Sequence, residues 1–226
     1  YKIAILASIA FNARIQADQV FGQGIRHIQA RDIAVAKDLG YRIKLVAVAQ
    51  QWEDRGEMQV RVHPALLPLR HPLAAVNDVF NAVLVRGDAV GDVMFFGRGA
   101  GSLPTGSAVV GDLISCARNI LKGATGRIGV TGAVDLRMLH RDSAAGKFYV
   151  RMHAWDKPKV LAAIANVFGD FDVSIESVVQ RALPGDEAEI VWITHRCREE
   201  SLRGALEVIG PLDSVRSIEN WIRVEE

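Results

Sequence analysis

The residues best placed by type and spacing to do chemistry are Gly97-Arg98-Gly99-Ala100-Gly101, lying between a strand-like run and the start of a helix-like one. Glycine-rich backbone at a helix N-terminus leaves N–H groups and the positive end of the helix dipole free to receive an anion, or lets a planar cofactor come close. The same composition also makes a plain tight turn, and spacing alone leaves both readings open. It is not the first turn of a dinucleotide fold: GxGxxG would need glycine at 102, where Ser102 stands, and no acidic residue follows on a second strand at the required distance.

Other reactive groups are scattered. His63 and His71 flank prolines in expected loops, and His27, His140, His153 and His195 share no ligand spacing, so no metal site is expected. Cys116 and Cys197 lie far apart with no CxxC, which implies neither zinc nor a disulfide framework and fits a reducing, cytoplasmic setting. No GxSxG, SxxK or Cys/His arrangement points to a nucleophile. Lys2 heads the apolar run IAILASIAF, which by itself reads as a solvated lysine near a chain end or the charged head of a secretory signal. The run is too short to span a bilayer. Tyr at position 1 fits a chain that begins inside a longer polypeptide, part-way along a buried helix.

With 226 residues, half of them hydrophobic, the chain can bury a sizeable core in one large or two small domains. Its 27 basic and 26 acidic residues leave a formal charge of +1, so no electrostatic footprint favours nucleic acid or an anionic membrane. A small molecule or another protein is the expected partner.

The elements that must position these residues follow from periodicity. After the apolar helix, 30–39 reads as a short helix with Ile33, Ala36 and Lys37 at helical spacing and Gly40 as its stop. Residues 41–49 alternate Ile43, Leu45, Ala47 and Ala49 as the more apolar face of a strand, and 58–63 returns as its antiparallel partner. Strands at 79–86 and 92–96 follow, then a helix over 103–121 with Val109, Leu113, Ala117 and Ile120 on one face. Periodicity then fails, and an interdomain linker is placed at 124–145. Beyond it, strands at 147–153, 173–180, 188–195 and 215–224 alternate with helices marked by Val160, Ile164, Val167 and Phe168 and by Leu202, Leu206 and Ile209. The order is βαββαβ, the split βαβ pattern of ferredoxin-like domains.

Four segments in order, GIRHIQARDIAVAKDLGYRIKLVAVA, VRVHPALLP, HPLAAVNDVFNAVLV and GRGAGSLPTGSAVVGDL, resemble the second half of the homoserine dehydrogenase catalytic region. The resemblance implies an amino-terminal Rossmann-type domain for NADP or NAD preceding this chain. The helix after the glycine loop would pack back onto it, setting Gly101, with Gly99, beside the cofactor. Lys2 matches the family's catalytic lysine, whose accompanying aspartate would stand four residues earlier. In the family reaction a hydride passes between the nicotinamide and the carbon of L-aspartate 4-semialdehyde and L-homoserine, in threonine and methionine biosynthesis. A lysine suits the accompanying proton transfer.

The stretch FYVRMHAWDKPKVLAAIANVFGDFDVSIESVVQ resembles ACT domains. These bind amino-acid effectors at the turn after the first strand, commonly across a dimer, which implies a threonine-type effector with Asp156 and Lys159 as its contacts. The family turn usually reads Asp-x-x-Gly-Val, whereas Lys159 occupies the glycine position here. A long cation there can block approach to the backbone or pair with an effector carboxylate.

The expected fold is thus α/β, more narrowly α+β. A mixed-sheet homoserine dehydrogenase catalytic and dimerisation domain at 1–123 precedes the linker, and a ferredoxin-like βαββαβ ACT domain at 146–226 follows it. The expected molecule is an oxidoreductase fragment, inactive alone, from a homodimer or higher homo-oligomer. The alternative is a non-enzymatic, amino-acid-sensing or dimerising ACT module.

Overall fold

The computed structural model describes residues 1–124, 132–140 and 144–226. Helix α1 (Lys2–Phe11) ends at Asn12 in the left-handed conformation. It was expected to be buried, and one face is: Ala4 and Ala7 pack against Ile15, Met58 and Val60, while Ile5, Leu6 and Ile9 are exposed. A two-residue strand β1 (Phe21–Gly22) leads to helix α2 (Ala30–Asp38). Gln29 and Asp32 cap the first turn of α2 reciprocally, and Gly40, at φ 80°, ends it as expected. The buried face is Asp32, Val35 and Ala36, and Ile33 is 57% exposed. Directing the Asp32 carboxylate onto the sheet turns Ile33 outward.

Strands β2 (Tyr41–Trp52) and β3 (Glu57–Pro68) form the expected antiparallel hairpin, paired from Tyr41↔Pro68 to Trp52↔Glu57. Strand β2 is covered in part on both faces: Ile43 and Ala49 of the more apolar face pack against buried clusters, and the other face is covered at Val46 and Val48. Val46 is buried with Ala65, Leu67 and Ala74, while Leu45 is 56% exposed. The loop 72–77 covers the Val46 face, and Arg42 and Lys44 reach its rim, donating to the carbonyls of Ala74 and Val76 and to Asn77. Two cations on a strand face are tolerable when their stems are covered and their heads find carbonyls.

The reading that set His63 in a loop is corrected, because β3 runs five residues past it and His63 is fully buried. Since β2 covers one whole edge of β3, the other edge is shared in series: β1 pairs at Arg61 and Val62, and the last strand of the chain at Ala65 and Leu66. Pro64 falls between those partners, where a missing N–H breaks no rung of either.

Strands β4 (Phe80–Gly87) and β5 (Gly91–Arg98) form a separate two-stranded sheet, and helix α3 (Ser102–Leu121) follows. No residue of α3 is buried, and its apolar face, Val109, Leu113, Ala117 and Ile120, is exposed throughout. Part of the expected linker is packed: β6 (Arg137–Met138) runs parallel to β3, and Ala13 bridges Val134. Its residues 125–131 and 141–143 lie outside those described.

The remaining elements are β7 (Ala145–Trp155), α4 (Val160–Asp170), β8 (Ile175–Leu183), β9 (Glu187–Thr194), the short β10 (Cys197–Arg198), α5 (Glu199–Ile209) and β11 (Val215–Val224). The sheet order β11-β7-β9-β8 is that of the expected βαββαβ unit. On one face α4 and α5 bury Phe148, Val150, Met152, Trp192, Ile164, Phe168, Leu202 and Ile209 together. On the other, Tyr149, Val191, Ile193 and Ile222 meet Val35 and Ala36 of α2 and Leu66 of β3. Strand β11 then pairs in parallel with β3, so among the described residues nine strands from both regions join one sheet. The two regions therefore share a core as well as a chain.

Candidate functional site

Lys2 begins α1 and is exposed, on the same face as Ile5, Leu6 and Ile9 at i, i+3, i+4 and i+7. The alanine side of the helix is spent on the core, so the lysine side is the one offered outward. The glycine loop lies elsewhere, at the end of the β4–β5 hairpin. Gly97 and Arg98 belong to β5, the Gly99 amide donates to the Val79 carbonyl at 3.1 Å, and Gly101 precedes the first turn of α3. Gly99 and Gly101 each have a steric reason. A Cβ on Gly99 would stand 1.5 Å from Asn81 Nδ2, and Gly101 has φ 127°. The loop delivers the exposed start of a 20-residue helix, whose first N–H groups can meet an anion. These features fit one edge of a nicotinamide dinucleotide pocket.

Asp156 and Lys159 do come together. With Trp155, Lys157, Pro158, Val160, Leu161 and Gln180 they line a shallow hollow of about 380 Å3 between the β7–α4 turn and β8. Gln180 Nε2 donates to Asp156 Oδ1 at 2.7 Å, and the Asp156 amide donates to the Asp186 carbonyl at 2.8 Å, which fixes the turn. Lys159 has φ 73° and ψ −8°, the left-handed region. That conformation explains why a glycine suits this position, and a lysine holds it at a cost of about 1 kcal/mol. Lys157 and Arg216 stand over the Trp155 ring at 5.1 and 4.8 Å. The lining of the hollow thus carries two lysines and one carboxylate, all exposed.

Two polar clusters escaped the sequence reading. In the first, Asp32 is fully buried beneath the module's sheet. Its carboxylate accepts from Arg151 Nε at 2.7 Å, Asn220 Nδ2 at 2.8 Å and the Gln29 amide at 2.9 Å. Burial alone would raise the Asp32 pKa, but the bonds from Arg151, Asn220 and Gln29 outweigh it and hold the group below the usual carboxylate range. Beside it Arg31 Nε donates to Glu189 at 2.9 Å. Glu189 is likewise held low: its burial is overcome by the Arg31 bond and the charges of Arg31 and Arg151. Tyr149 moves the other way, raised by burial and by the Asp32 charge. The Gln-x-x-Asp spacing of a capping box was a visible signal for Asp32. Arg151 was hidden because strict alternation marks one strand face as polar, and β7 is buried on both.

The second cluster lies on β3. Arg61 donates to Gln59 at 2.7 Å, to His63 at 3.0 Å and to Glu225 at 2.7 Å. Burial would raise Glu225, yet the bond to His63 and the charge of Arg61 bring it to about 2. Among the described residues no group of three or more His, Cys, Asp or Glu could hold a metal ion, and no helix is long and apolar enough to cross a membrane.

Fold and site together define an α+β region, bearing an exposed lysine and a glycine loop, joined through its sheet to a ferredoxin-like βαββαβ module. The homoserine dehydrogenase family model matches residues 1–114, and the ACT domain model matches residues 148–212. The chain is similar to a homoserine dehydrogenase of Synechocystis sp., 42% identical over 99% of this chain and 53% of that protein. Another, from Bacillus subtilis, is 37% identical over 99% and 52%. A solved homoserine dehydrogenase from Thiobacillus denitrificans superposes with a TM-score of 0.90 at 35% identity, covering 100% of this chain and 52% of that one. The chain belongs to the homoserine dehydrogenase family, and it spans about half the length of the curated relatives it matches.

Proposed function

We propose that this chain supplies the proton-handling lysine and the returning glycine loop of an NADP- or NAD-dependent homoserine dehydrogenase. It would interconvert L-homoserine and L-aspartate 4-semialdehyde in threonine and methionine biosynthesis. The observation that carries the reading is the one-sided burial of α1, which leaves Lys2 outward within the region the family model matches. The nicotinamide, when bound, carries the hydride. As the neutral amine Lys2 accepts the proton of the homoserine hydroxyl when the hydride leaves, and as the resulting ammonium it returns that proton to the aldehyde oxygen in the reverse direction. Gly99 and Gly101 keep side chains away from the start of α3, so its amides can approach the cofactor. The apolar surface of α3 and of the β4–β5 hairpin is suited to cover by a cofactor domain and by a second copy in a homodimer or higher oligomer.

The domain limits that go with this reading are 1–123 for catalysis and dimerisation and 146–226 for regulation. Asp156 and Lys159 take an amino-acid effector such as threonine, with Lys159 toward its carboxylate and Asp156 toward its ammonium group. Calorimetry with L-threonine checks this part, a binding heat lost in Asp156→Ala being the expected outcome. Activity is checked by joining the chain at Tyr1 to the amino-terminal half of the Synechocystis relative. The joined protein is expected to reduce NADP or NAD in the presence of homoserine. A folded protein with no turnover would favour the non-enzymatic sensing module.

A further inference from the structure

We infer that the buried Asp32–Arg151 ion pair is the relay through which an amino acid held at the Asp156–Lys159 turn acts on the region carrying Lys2; this rests on the effector reading above. Arg151 lies on β7, the strand that ends at Trp155 and delivers the turn directly. Its side chain, 1% exposed, points away from α4 and α5 to the face covered by α2. There three adjacent strands of the module converge on two residues of one helix. Arg151 of β7 and Asn220 of β11 both donate to Asp32, and Glu189 of β9 accepts from Arg31. Arg151 Nη2 also donates to Gln29 Oε1 at 2.7 Å, and Asn220 to the His27 carbonyl at 3.1 Å. Helix α2 passes through Gly40 into β2, and α1, with Lys2 at its head, packs on β2 and β3. The path from turn to lysine is thus a chain of packed elements.

Apolar layers of equal volume would hold α2 on the sheet at least as firmly, because desolvating two charges offsets most of what their attraction returns. What such a pair adds is discreteness. Its hydrogen bonds are directional and every partner is committed, so a displaced β7 carries α2 with it or breaks the set, where apolar contacts would slide. An effector that draws the turn toward itself displaces β7 at its end, and Arg151 passes that displacement to Asp32.

Hydrogen exchange followed by mass spectrometry, on the 226-residue chain with and without L-threonine, tests the relay without needing turnover. Exchange is expected to change at least twofold both at 156–161 and in α2, residues 30–38. In the double variant Asp32→Leu with Arg151→Met, whose apolar pair keeps the layers in contact, the turn should still respond and α2 should not. A response at the turn with α2 unchanged in the parent chain would overturn the relay and leave effector binding standing. An α2 response that persists in the double variant would overturn the assignment to this pair. No response anywhere would overturn the effector reading, and the relay with it.

Discussion

Strand β9 and helix α3 are both apolar at the spacing their geometry favours, yet every residue of β9 after the first is buried and none of α3 is. The module's sheet has cover on both faces within the chain, α4 and α5 on one and α2 on the other. Among the described residues the hairpin and α3 have no such cover. Periodicity states that a face needs company and not whose, and the two regions show the two answers. One is complete in this chain; the other offers its surface outward.

That contrast orders the expected effects of substitution. The largest is at Arg151: Arg151→Ala leaves Asp32 charged and buried without its cation, and urea denaturation should register a loss of about 3–5 kcal/mol. A variant as stable as its parent would show that the Asp32–Arg151 pair does not hold α2 on the sheet. Acid comes next. Glu225 titrates near 2 in the fold against an ordinary 4.5, so its contribution is complete above the ordinary value and drains away as pH falls toward 2. Asp32 and Glu189 are displaced in the same direction and add to the same trend. Stability followed by circular dichroism should decline below about pH 5, with roughly 2–3 kcal/mol traceable to Glu225, each tenfold change in proton affinity being worth about 1.4 kcal/mol. Glu225→Gln should flatten that decline; an equally steep curve would dissociate it from the Arg61 cluster.

Smaller effects sharpen the contrast. Lys159→Gly relieves a left-handed lysine and should raise stability by up to about 1 kcal/mol, the entropy of the freer unfolded chain offsetting part of the gain. Leu113→Ala, on the open face of α3, should change the stability of this chain by less than about 0.5 kcal/mol. A loss of several kcal/mol there would mean that α3 is packed after all.

Much of the architecture was legible in the residues. Gly40 stopped α2 where a left-handed glycine belongs, the β2–β3 hairpin paired as its alternation implied, and βαββαβ was readable from Lys147 onward. What escaped depends on contacts far apart in sequence. The parallel docking of β11 on β3 joins Val224 to Leu66, and no local pattern encodes which strand will take a free edge. His63 was misread because Pro64 argues against a strand interior, and only the serial partners of β3 make that proline harmless. Val46 is buried on β2, where Leu45 is not, because loop 72–77 covers that side. For the site, Lys2, Gly99 and Gly101 came from family resemblance. Gln180, the fixed partner of Asp156, and the Asp32–Arg151 pair needed the fold.

The most direct test of the catalytic assignment is steady-state kinetics of homoserine oxidation by the joined protein and its Lys2→Ala variant. In the variant kcat is expected to fall by about 10²- to 10⁴-fold, as when a positioned proton-transfer group is removed, with little change in KM for homoserine. An unchanged kcat in the variant would contradict the assignment.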